Sequence, residues 1–464
     1  MGIFKKKDRS AARRPADIRI SESFQNGNIV TRLSFFIFGL GNLLNKQIVR
    51  GILFLAIEIG YLYYMISFGI SAIGNFITLG TVEQGQAYNE ALGIYEYTAG
   101  DNSMLCLLYG VITFVLTAAA IFVACMSGKS AYCTQFRKEK GLKVPNFKDD
   151  LKSLQEENLH AFLLAFPIIG IICFTIVPLI FMILIAFTSY DHEHQPPGNL
   201  FEWVGLDNFA AMFSQGSKLA STFWPVLSWT LIWAVFATVS CFILGLLLAL
   251  LINRKGTRGK GFWRFMFVLS VAVPQFVTLL SMRTIFNANG PVNVLLRHLG
   301  VIGMTESIPF FTNPLYAKIT IICINIWIGV PFTMLSTTGI LQNIPAELYE
   351  AAKIDGASAP TIFRKITLPY MLFVMTPNLI TSFTGNINNF NVIFLLSGGG
   401  PDSLDYYYAG KTDLLVTWLY RLTITQKDYN LGAVIGILVF IILAVLSLLT
   451  YRRTGAYKDE GAFQ

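Results

Sequence analysis

Long apolar stretches separated by short polar segments dominate the chain. A helix that crosses about 30 Å of hydrocarbon needs about 20 mostly apolar residues. Eight stretches reach that length, at about 48–74, 104–126, 161–188, 223–252, 262–286, 317–341, 370–396 and 432–451. We therefore predict an all-α polytopic membrane protein with about eight transmembrane helices. The apolar stretch 33–44 is too short to cross and predicts an interfacial or re-entrant helix.

The composition excludes several other classes of protein. Of the 464 residues, 54% are hydrophobic and 13% are charged, whereas a soluble globular chain carries about 25% charged residues. Disordered chains combine low hydrophobicity with high charge, so disorder is excluded. The net charge of +8 lies in short loops rather than on one folded surface, which argues against nucleic-acid binding.

The charges of the loops alternate along the chain and predict the topology. Lysine and arginine are concentrated in four segments, 1–32, 127–160, 253–261 and 452–464. Loop 75–103 contains neither residue and loop 189–222 contains one lysine. Since cytoplasmic loops carry the excess of basic residues, both termini are predicted to be cytoplasmic.

Segment 345–369 is predicted to be cytoplasmic, yet its sequence is patterned like two short helices. Pro345 suits a first helical turn, Gly356 is a helix stop, and Ser358 can cap a second helix. Pro369 then begins the return into the membrane. The pattern alone leaves an ordinary structured loop and a docking surface equally open.

The residues of this segment match the signature E-A-A-x-x-x-G-x9-I-x-L-P. The matching positions are Glu350, Ala351, Ala352, Gly356, Ile366, Leu368 and Pro369. In this the chain resembles the membrane permease subunits of ATP-binding-cassette (ABC) importers. The resemblance implies that these residues, together with Asp355, form a coupling helix that docks into a separate ATPase subunit.

The resemblance is closer to one branch of that family. Segments 377–396, 398–402 and 412–416 resemble the MalF-like permeases of maltose and maltodextrin importers. The likeness covers about 160–451 and implies a type I (MetI-like) importer core. The Gram-negative members carry a large folded insertion in an external loop, whereas loop 189–222 is short here. We therefore expect a Gram-positive-type system with a lipid-anchored binding protein.

The resemblance also implies a domain organisation and a set of partners. The expected pieces are a basic cytoplasmic tail (1–32), extra N-terminal helices with a basic loop (33–160), a permease core of about six spans (161–451) and a second tail (452–464). The expected partners are a shorter MalG-like permease, two copies of an ABC ATPase subunit and an extracellular sugar-binding lipoprotein. ATP and magnesium would be bound by the ATPase subunits, so the chain itself is expected to be neither an enzyme nor cofactor-dependent.

The seventh predicted span carries a polar stripe. Asn378, Ser382, Asn386 and Asn389 recur at i, i+4, i+8 and i+11, which places them on one helical face. Unpaired amides are costly in hydrocarbon, so this face should point into the bundle or a wet cavity. Two roles remain open: hydrogen bonds that hold helices together, and sugar binding, because amides both donate to and accept from hydroxyls.

The family resemblance favours sugar binding. It assigns sugar contacts to Ser382, Gly385, Asn386, Asn389 and Asn391 in the seventh span, and to Ile328, Gly329 and Phe332 in the sixth. Trp327, Phe383 and Phe390 are further aromatic candidates for packing against sugar rings. Gly385 and Asn391 replace larger apolar residues of the family pattern, and Phe332 replaces a tyrosine. These replacements leave the chain length and identity of the sugar open: the resemblance predicts maltodextrin, and galacto- or fructo-oligosaccharides are the alternatives.

Two motifs look like nucleotide-binding elements but are incomplete. Segment 396–399 (L-S-G-G) mimics the ABC ATPase signature, but Gly400 stands where glutamine is required. Segment 128–130 (G-K-S) lacks the first glycine of a phosphate-binding loop, because Val123 occupies that position. The chain is therefore not expected to bind ATP itself.

Other chemistry-bearing residues give weaker signals. Segment 191–194 (D-H-E-H) is too loose to predict a metal site, and the six cysteines are expected to act as small apolar residues. Glu58 lies inside the first span, and is equally well explained as a functional carboxylate or as an anchor near the interface. An ion-coupled secondary transporter would predict paired intramembrane carboxylates or a repeat between halves, and neither is evident.

Overall fold

The computed structural model describes residues 18–90, 92–156, 158–254 and 256–453. The six basic residues of the predicted tail between Lys5 and Arg14 lie outside the described residues, as does segment 454–464. The chain divides into two compact units, one up to Trp203 and one from Val204 onward. This division falls one span later than the predicted boundary at 160/161, which stays a prediction.

The N-terminal unit contains three short helices, three long ones, one intermediate helix and a β-hairpin. In chain order they are α1 (Ile20–Asn26), α2 (Ile29–Leu33), α3 (Leu40–Leu44), α4 (Ile48–Thr78), β1 (Gly85–Asn89), β2 (Ile94–Thr98), α5 (Ser103–Glu139), α6 (Phe147–Gln155) and α7 (Leu159–Ile185). Helix α5 packs against α1–α4 and against the C-terminal part of α7. It is therefore the central helix of this unit.

The C-terminal unit is helical apart from loops. In chain order its helices are α8 (Asp207–Phe213), α9 (Lys218–Asn253), α10 (Lys260–Ala272), α11 (Gln275–Ile285), α12 (Pro291–His298), α13 (Pro314–Gln342), α14 (Ala346–Ile354), α15 (Ala359–Ile387), α16 (Phe390–Leu396), α17 (Leu415–Tyr420) and α18 (Tyr429–Arg453). Helices α9, α13 and α15 pack against one another, and these three build the site described below.

The predicted number of spans is confirmed. Seven of the described helices, α4, α5, α7, α9, α13, α15 and α18, are long and apolar enough to cross a membrane, and the pair α10 and α11 makes an eighth if it counts as one span. That pair is bent by 88°, so the span predicted over 262–286 consists of two helices. Val273 and Pro274 are extended at the bend, because proline lacks an amide hydrogen and disfavours helix in the preceding residue.

The seventh span differs from the prediction at both ends. The second short helix of segment 345–369 is not separate: it is the start of α15, which runs on to Ile387. The span then breaks at Asn388 and Asn389, and α16 begins anew at Phe390. The side chain of Asn389 accepts a hydrogen bond from the amide of Val392 at 3.3 Å. This capping bond favours a new helix start over continuation of the old one.

Segment 33–44 is also less regular than expected. It forms the end of α2, a run of turns and α3, rather than one helix. Gly39 has φ +78°, and a side chain there would overlap the backbone of Gly51. Glu58 accepts a hydrogen bond from the amide of Phe38 at 2.8 Å. The carboxylate in the first span thus satisfies the backbone of this turn, which favours its role as an anchor.

A small β-hairpin in loop 75–103 was not predicted. Strands β1 and β2 pair antiparallel, with Gly85 opposite Thr98 and Asn89 opposite Ile94. The amides of Thr81 and Val82 donate to Asp101 at 2.8 and 3.0 Å, which closes the base of the loop. These bonds hold the pKa of the Asp101 carboxyl below its ordinary value.

Segment 398–402 folds around a buried carboxylate. Asp413 is 1% exposed and accepts hydrogen bonds from the amide of Gly410 and the hydroxyl of Thr417, each at 2.7 Å. Arg421 lies 3.3 Å from the same carboxylate. A side chain at Gly399 would overlap this carboxylate, so the apparent ATPase signature has a structural explanation here.

We expect Gly399→Ala to destabilise the C-terminal unit strongly. Both Gly398 and Gly399 have positive φ, at +61° and +82°, which costs about 1–2 kcal/mol for any side chain. Only at Gly399 would the new methyl group also overlap the buried Asp413 carboxylate, and disturbing the hydrogen bonds of that group costs about 1–3 kcal/mol more. Gly398→Ala is the matched control, since its nearest neighbour lies 4.0 Å away. Equal melting temperatures for the two purified variants would contradict this explanation.

Candidate functional site

A cavity of about 300 Å³ lies between α9, α13 and α15, at the lower end of the range for small-molecule sites. Two apolar clusters flank it along the helices. One contains Trp233, Ile321 and Ile393, and the other contains Phe242 and Met371. The cavity is therefore a partly polar gap in an otherwise apolar bundle.

Seven of the eight predicted sugar-contact residues line this cavity. They are Ile328, Gly329 and Phe332 from α13, and Ser382, Gly385, Asn386 and Asn389 from α15 and the break after it. Asn391 does not line it, because the break turns α16 and leaves Asn391 exposed outside the cavity. No atom of the described residues lies within 4 Å of a side chain built on Gly385, so this glycine widens the cavity.

Two of the stripe asparagines are engaged in hydrogen bonds that hold the bundle. Asn386 donates to the hydroxyl of Thr238 on α9 at 3.0 Å, and its carbonyl accepts from the indole of Trp233 at 3.0 Å. Asn389 donates to the side chain of Asn386 at 3.3 Å and also caps α16. The interhelical role left open by the sequence is therefore present at this end of the stripe.

The other half of the stripe is different. Asn378 and Ser382 line the cavity, both side chains are exposed, and neither forms a hydrogen bond within the part of the chain that the structure describes. Their donors and acceptors are available to a ligand or to water. Among the polar residues of the stripe, these two are the best placed to bind a solute.

Sequence reasoning missed several residues of the cavity. Thr238 and Cys241 come from α9, Asn325 from α13, and Gln275 from the first turn of α11. Asn325 is 7% exposed and its amide lies 4.0 Å from the sulfur of Cys241. A lone amide inside the apolar stretch 317–341 was the available signal, by the same argument that singled out the stripe.

The aromatic candidates separate into one that lines the cavity and three that do not. Phe332 lines it. Trp327 is 65% exposed and points elsewhere, and Phe390 stacks on Phe394 with centroids 4.8 Å apart. Phe383 lines an adjoining apolar groove of about 650 Å³, which shares Thr238, Phe242 and Leu379 with the cavity. These three aromatic side chains are therefore not part of the cavity.

The predicted coupling segment forms a surface helix attached to the bundle. Helix α14 ends at Ile354, and Gly356 follows with φ +72°. The hydroxyl of Tyr349 lies 3.1 Å from that of Thr367. Ile366 and Leu368 pack against the apolar cluster that contains Phe242 and Met371. One side of the segment thus anchors it to the helices that build the cavity.

The opposite side of α14 is open. Ile354 is 86% exposed and Leu348 is 46% exposed, and neither was singled out from the sequence. Glu350, Ala351, Asp355 and Gly356 are also exposed, whereas Ala352 is half-buried. Nothing lies within 4 Å of a side chain built on Gly356. Helix α14 therefore presents two large apolar side chains and a left-handed glycine on an uncovered surface.

Two further motifs receive local structural roles. The carboxylate of Asp191 accepts hydrogen bonds from the amides of Glu193 and His194 at 2.9 and 3.0 Å, and it lies 2.8 Å from the His194 ring. Segment 191–194 is thus a loop closed by its aspartate. Each of the six cysteines is a free thiol.

Comparison with known proteins identifies the family. Residues 241–454 match the model for the binding-protein-dependent transport system inner membrane component. The maltodextrin transport system permease MalC of Streptococcus pneumoniae is 36% identical over 431 residues, which cover 91% of this chain and 95% of that protein. The galactooligosaccharides transport system permease GanP of Bacillus subtilis is 34% identical over 93% of this chain and 99% of that protein.

Solved structures agree on the fold. A chain of a bacterial ABC transporter involved in import of the polysaccharide alginate aligns with a TM-score of 0.54 and 23% identity, over 65% of this chain and 96% of that one. The fold and the relatives' sequences thus indicate the same family. The chain belongs to the binding-protein-dependent transport system inner membrane component family, as a multi-pass membrane permease subunit of its MalF-like branch.

Proposed function

We propose that the chain forms the translocation path of an ATP-driven importer of oligosaccharides, with maltodextrins as the first candidate. The observation that carries the proposal is the cavity between α9, α13 and α15, which has free polar groups at Asn378 and Ser382. An amide and a hydroxyl suit the hydroxyls of a sugar. The names of MalC and GanP support an oligosaccharide and leave its type to experiment.

The mechanism follows from the continuity of α15. This single helix begins within the coupling segment, at Ala359, and reaches the cavity at Asn378 and Ser382. At 1.5 Å per residue, Ser382 lies about 35 Å along the helix from Ala359. When ATP closes the ATPase dimer, movement of α14 is passed to α15 and hence to the cavity wall. The cavity then opens alternately to the two sides of the membrane.

The proposed complex contains more than this chain. A second, MalG-like permease completes the path, two ATPase subunits bind ATP and magnesium, and an external lipoprotein delivers the sugar. Helix α14 offers Leu348 and Ile354 as the apolar contacts for the ATPase. The permease itself breaks no covalent bond.

The substrate can be tested on the assembled complex by measuring ATP hydrolysis with the binding protein and a panel of sugars. We expect maltodextrins to stimulate hydrolysis more than galacto- or fructo-oligosaccharides of equal length. A galacto-oligosaccharide that stimulates more strongly would move the assignment to the substrate class of GanP. An importer of a different class is indicated if no oligosaccharide stimulates hydrolysis.

The proposed orientation places both termini in the cytoplasm. We expect single cysteines introduced at Gly85 or Leu200 to react with a membrane-impermeant thiol reagent added to whole cells. Cysteines at Pro145 or Thr257 should react only after the cells are opened, because both lie in basic loops. Reversed labelling at any two of these positions contradicts the orientation.

A further inference from the structure

A polar cavity larger than the proposed sugar site lies wholly in the N-terminal unit, far along the chain from that site. Its volume is about 840 Å³, and it is bounded by the first turns of α4, the last turns of α5, and α6. Two long apolar helices therefore enter or leave the bilayer at its edge.

The basic side chains of this cavity are not all neutralised. Four cations line it, from Arg50, Lys129, Arg137 and Lys152. Arg50 pairs with Asp150, and Lys152 lies 3.7 Å from Glu156. The third carboxylate of the cavity, Asp149, pairs with a lysine outside it, Lys143, at 3.1 Å.

Among the described residues of the cavity, two cations have no carboxylate partner. Lys129 has no hydrogen bond or ion pair with the residues that the structure describes, and Arg137 donates only to the backbone carbonyl of Lys143, at 3.2 Å. Both side chains are half-buried. They stand two turns apart on α5 and face the same cavity. Their charge favours an anion between them.

The apolar surroundings show which kind of anion fits. Phe54 and Met126 form the wall of the cavity on the membrane side. On α6, Phe147 and Leu151 are 49% and 50% exposed and lie four residues apart. Such a helix rests in the bilayer interface with its apolar face toward the acyl chains. The cavity thus has a cationic floor and an apolar rim that suits a lipid tail.

We propose that this cavity binds the phosphate headgroup of an anionic phospholipid, with the acyl chains lying past Phe54 and Met126. Basic pockets between membrane helices are a recurring way of holding such headgroups. Bound lipid would join α4, α5 and α6 in the N-terminal unit. The site is independent of the sugar cavity and of the substrate.

The test is a lipid titration of the full-length chain in non-ionic detergent, read by native mass spectrometry. The probes are dioleoylphosphatidylglycerol, dioleoylphosphatidylcholine and inorganic phosphate. We expect one phosphatidylglycerol to bind tightly per chain, and the other two probes to bind at least tenfold more weakly. Phosphatidylcholine binding as tightly would show that charge is not recognised, and phosphate binding as tightly would show a free-anion site; either result overturns the proposal.

Matched variants locate the site. The double variant Lys129→Gln with Arg137→Gln should weaken phosphatidylglycerol binding about thirtyfold. Each cation near an anionic lipid contributes about 1 kcal/mol of binding free energy, and about 1.4 kcal/mol corresponds to a tenfold change in affinity. Lys138→Gln with Lys148→Gln removes the same charge from exposed positions outside the cavity and should change binding less than twofold. An equal loss in both pairs would mean diffuse attraction and would overturn the site.

The single variant Lys129→Gln serves as the control for correct folding. Because Lys129 makes no polar contact with the described residues, its replacement removes no bond of the fold seen here. It should elute as the parent chain does on size exclusion and still bind phosphatidylglycerol several-fold more weakly. Unchanged binding by this well-folded variant contradicts the proposal.

Discussion

Gly356→Asp is expected to abolish sugar uptake while leaving the chain inserted in the membrane. Gly356 has φ +72° directly after α14, where an aspartate costs about 1–2 kcal/mol of backbone strain. That amount does not unfold a bundle of this size. The added carboxylate stands beside the exposed Ile354, however, on the surface proposed to enter the ATPase. A buried, unpaired charge in that interface costs several kcal/mol, so the ATPase should fail to bind.

The chain offers a matched control for this prediction. Gly300 has φ +70°, and a side chain built on it also has open space around it, so Gly300→Asp adds the same strain and the same charge. It lies in a loop predicted to be on the other side of the membrane. The measurement is ATPase copurified per permease, together with uptake by whole cells. Normal copurification and transport by Gly356→Asp would show that α14 is not the docking helix.

Much of the membrane architecture could be predicted from apolar length alone, because hydrocarbon thickness sets the length of a spanning helix. The bends could not be predicted in the same way. Pro274 turns the chain by 88°, whereas Pro331 lies inside the continuous helix α13. The same residue type stands at a helix end in one place and inside a helix in the other, so a proline alone does not predict a bend.

Part of the candidate site could also be predicted from the sequence. Amides at helical spacing in an apolar stretch revealed the stripe, but spacing does not tell which amides find partners. The structure divides them: Asn386 bonds to Thr238 on α9, while Asn378 and Ser382 stay free of such bonds among the described residues. The break after Ile387 also moved Asn391 out of the cavity, because a side-chain cap competes with helix continuation.

A second strong effect on sugar uptake is expected from the side chains of Asn378 and Ser382. Asn378→Ala combined with Ser382→Ala is expected to reduce uptake at low sugar concentration about tenfold or more. Each lost hydrogen bond to a sugar removes about 0.5–1.5 kcal/mol, and 1.4 kcal/mol corresponds to a tenfold change in affinity. Since neither side chain bonds to another described residue, assembly with the partner permease should be unaffected.

Asn386→Ala is the matched variant that tests the other role of the stripe, which is to hold the helices together by hydrogen bonds. It removes the bond to Thr238 and also deprives Asn389 of its partner, so we expect lower complex yield and a lower melting temperature. Part of its loss of uptake should therefore reflect loss of complex. The two kinds of variant separate sugar binding from bundle stability, because Asn386 lies on the same helical stripe as Ser382 and Asn378, about one and two turns away.

The most direct test of the sugar site is uptake per assembled complex, measured for Asn378→Ala with Ser382→Ala across a range of sugar concentrations. We expect a normal amount of complex, a half-saturating sugar concentration raised about tenfold, and basal ATP hydrolysis like that of the parent. Uptake per complex equal to that of the parent at every concentration would contradict it, and would show that the sugar does not bind in the cavity between α9, α13 and α15.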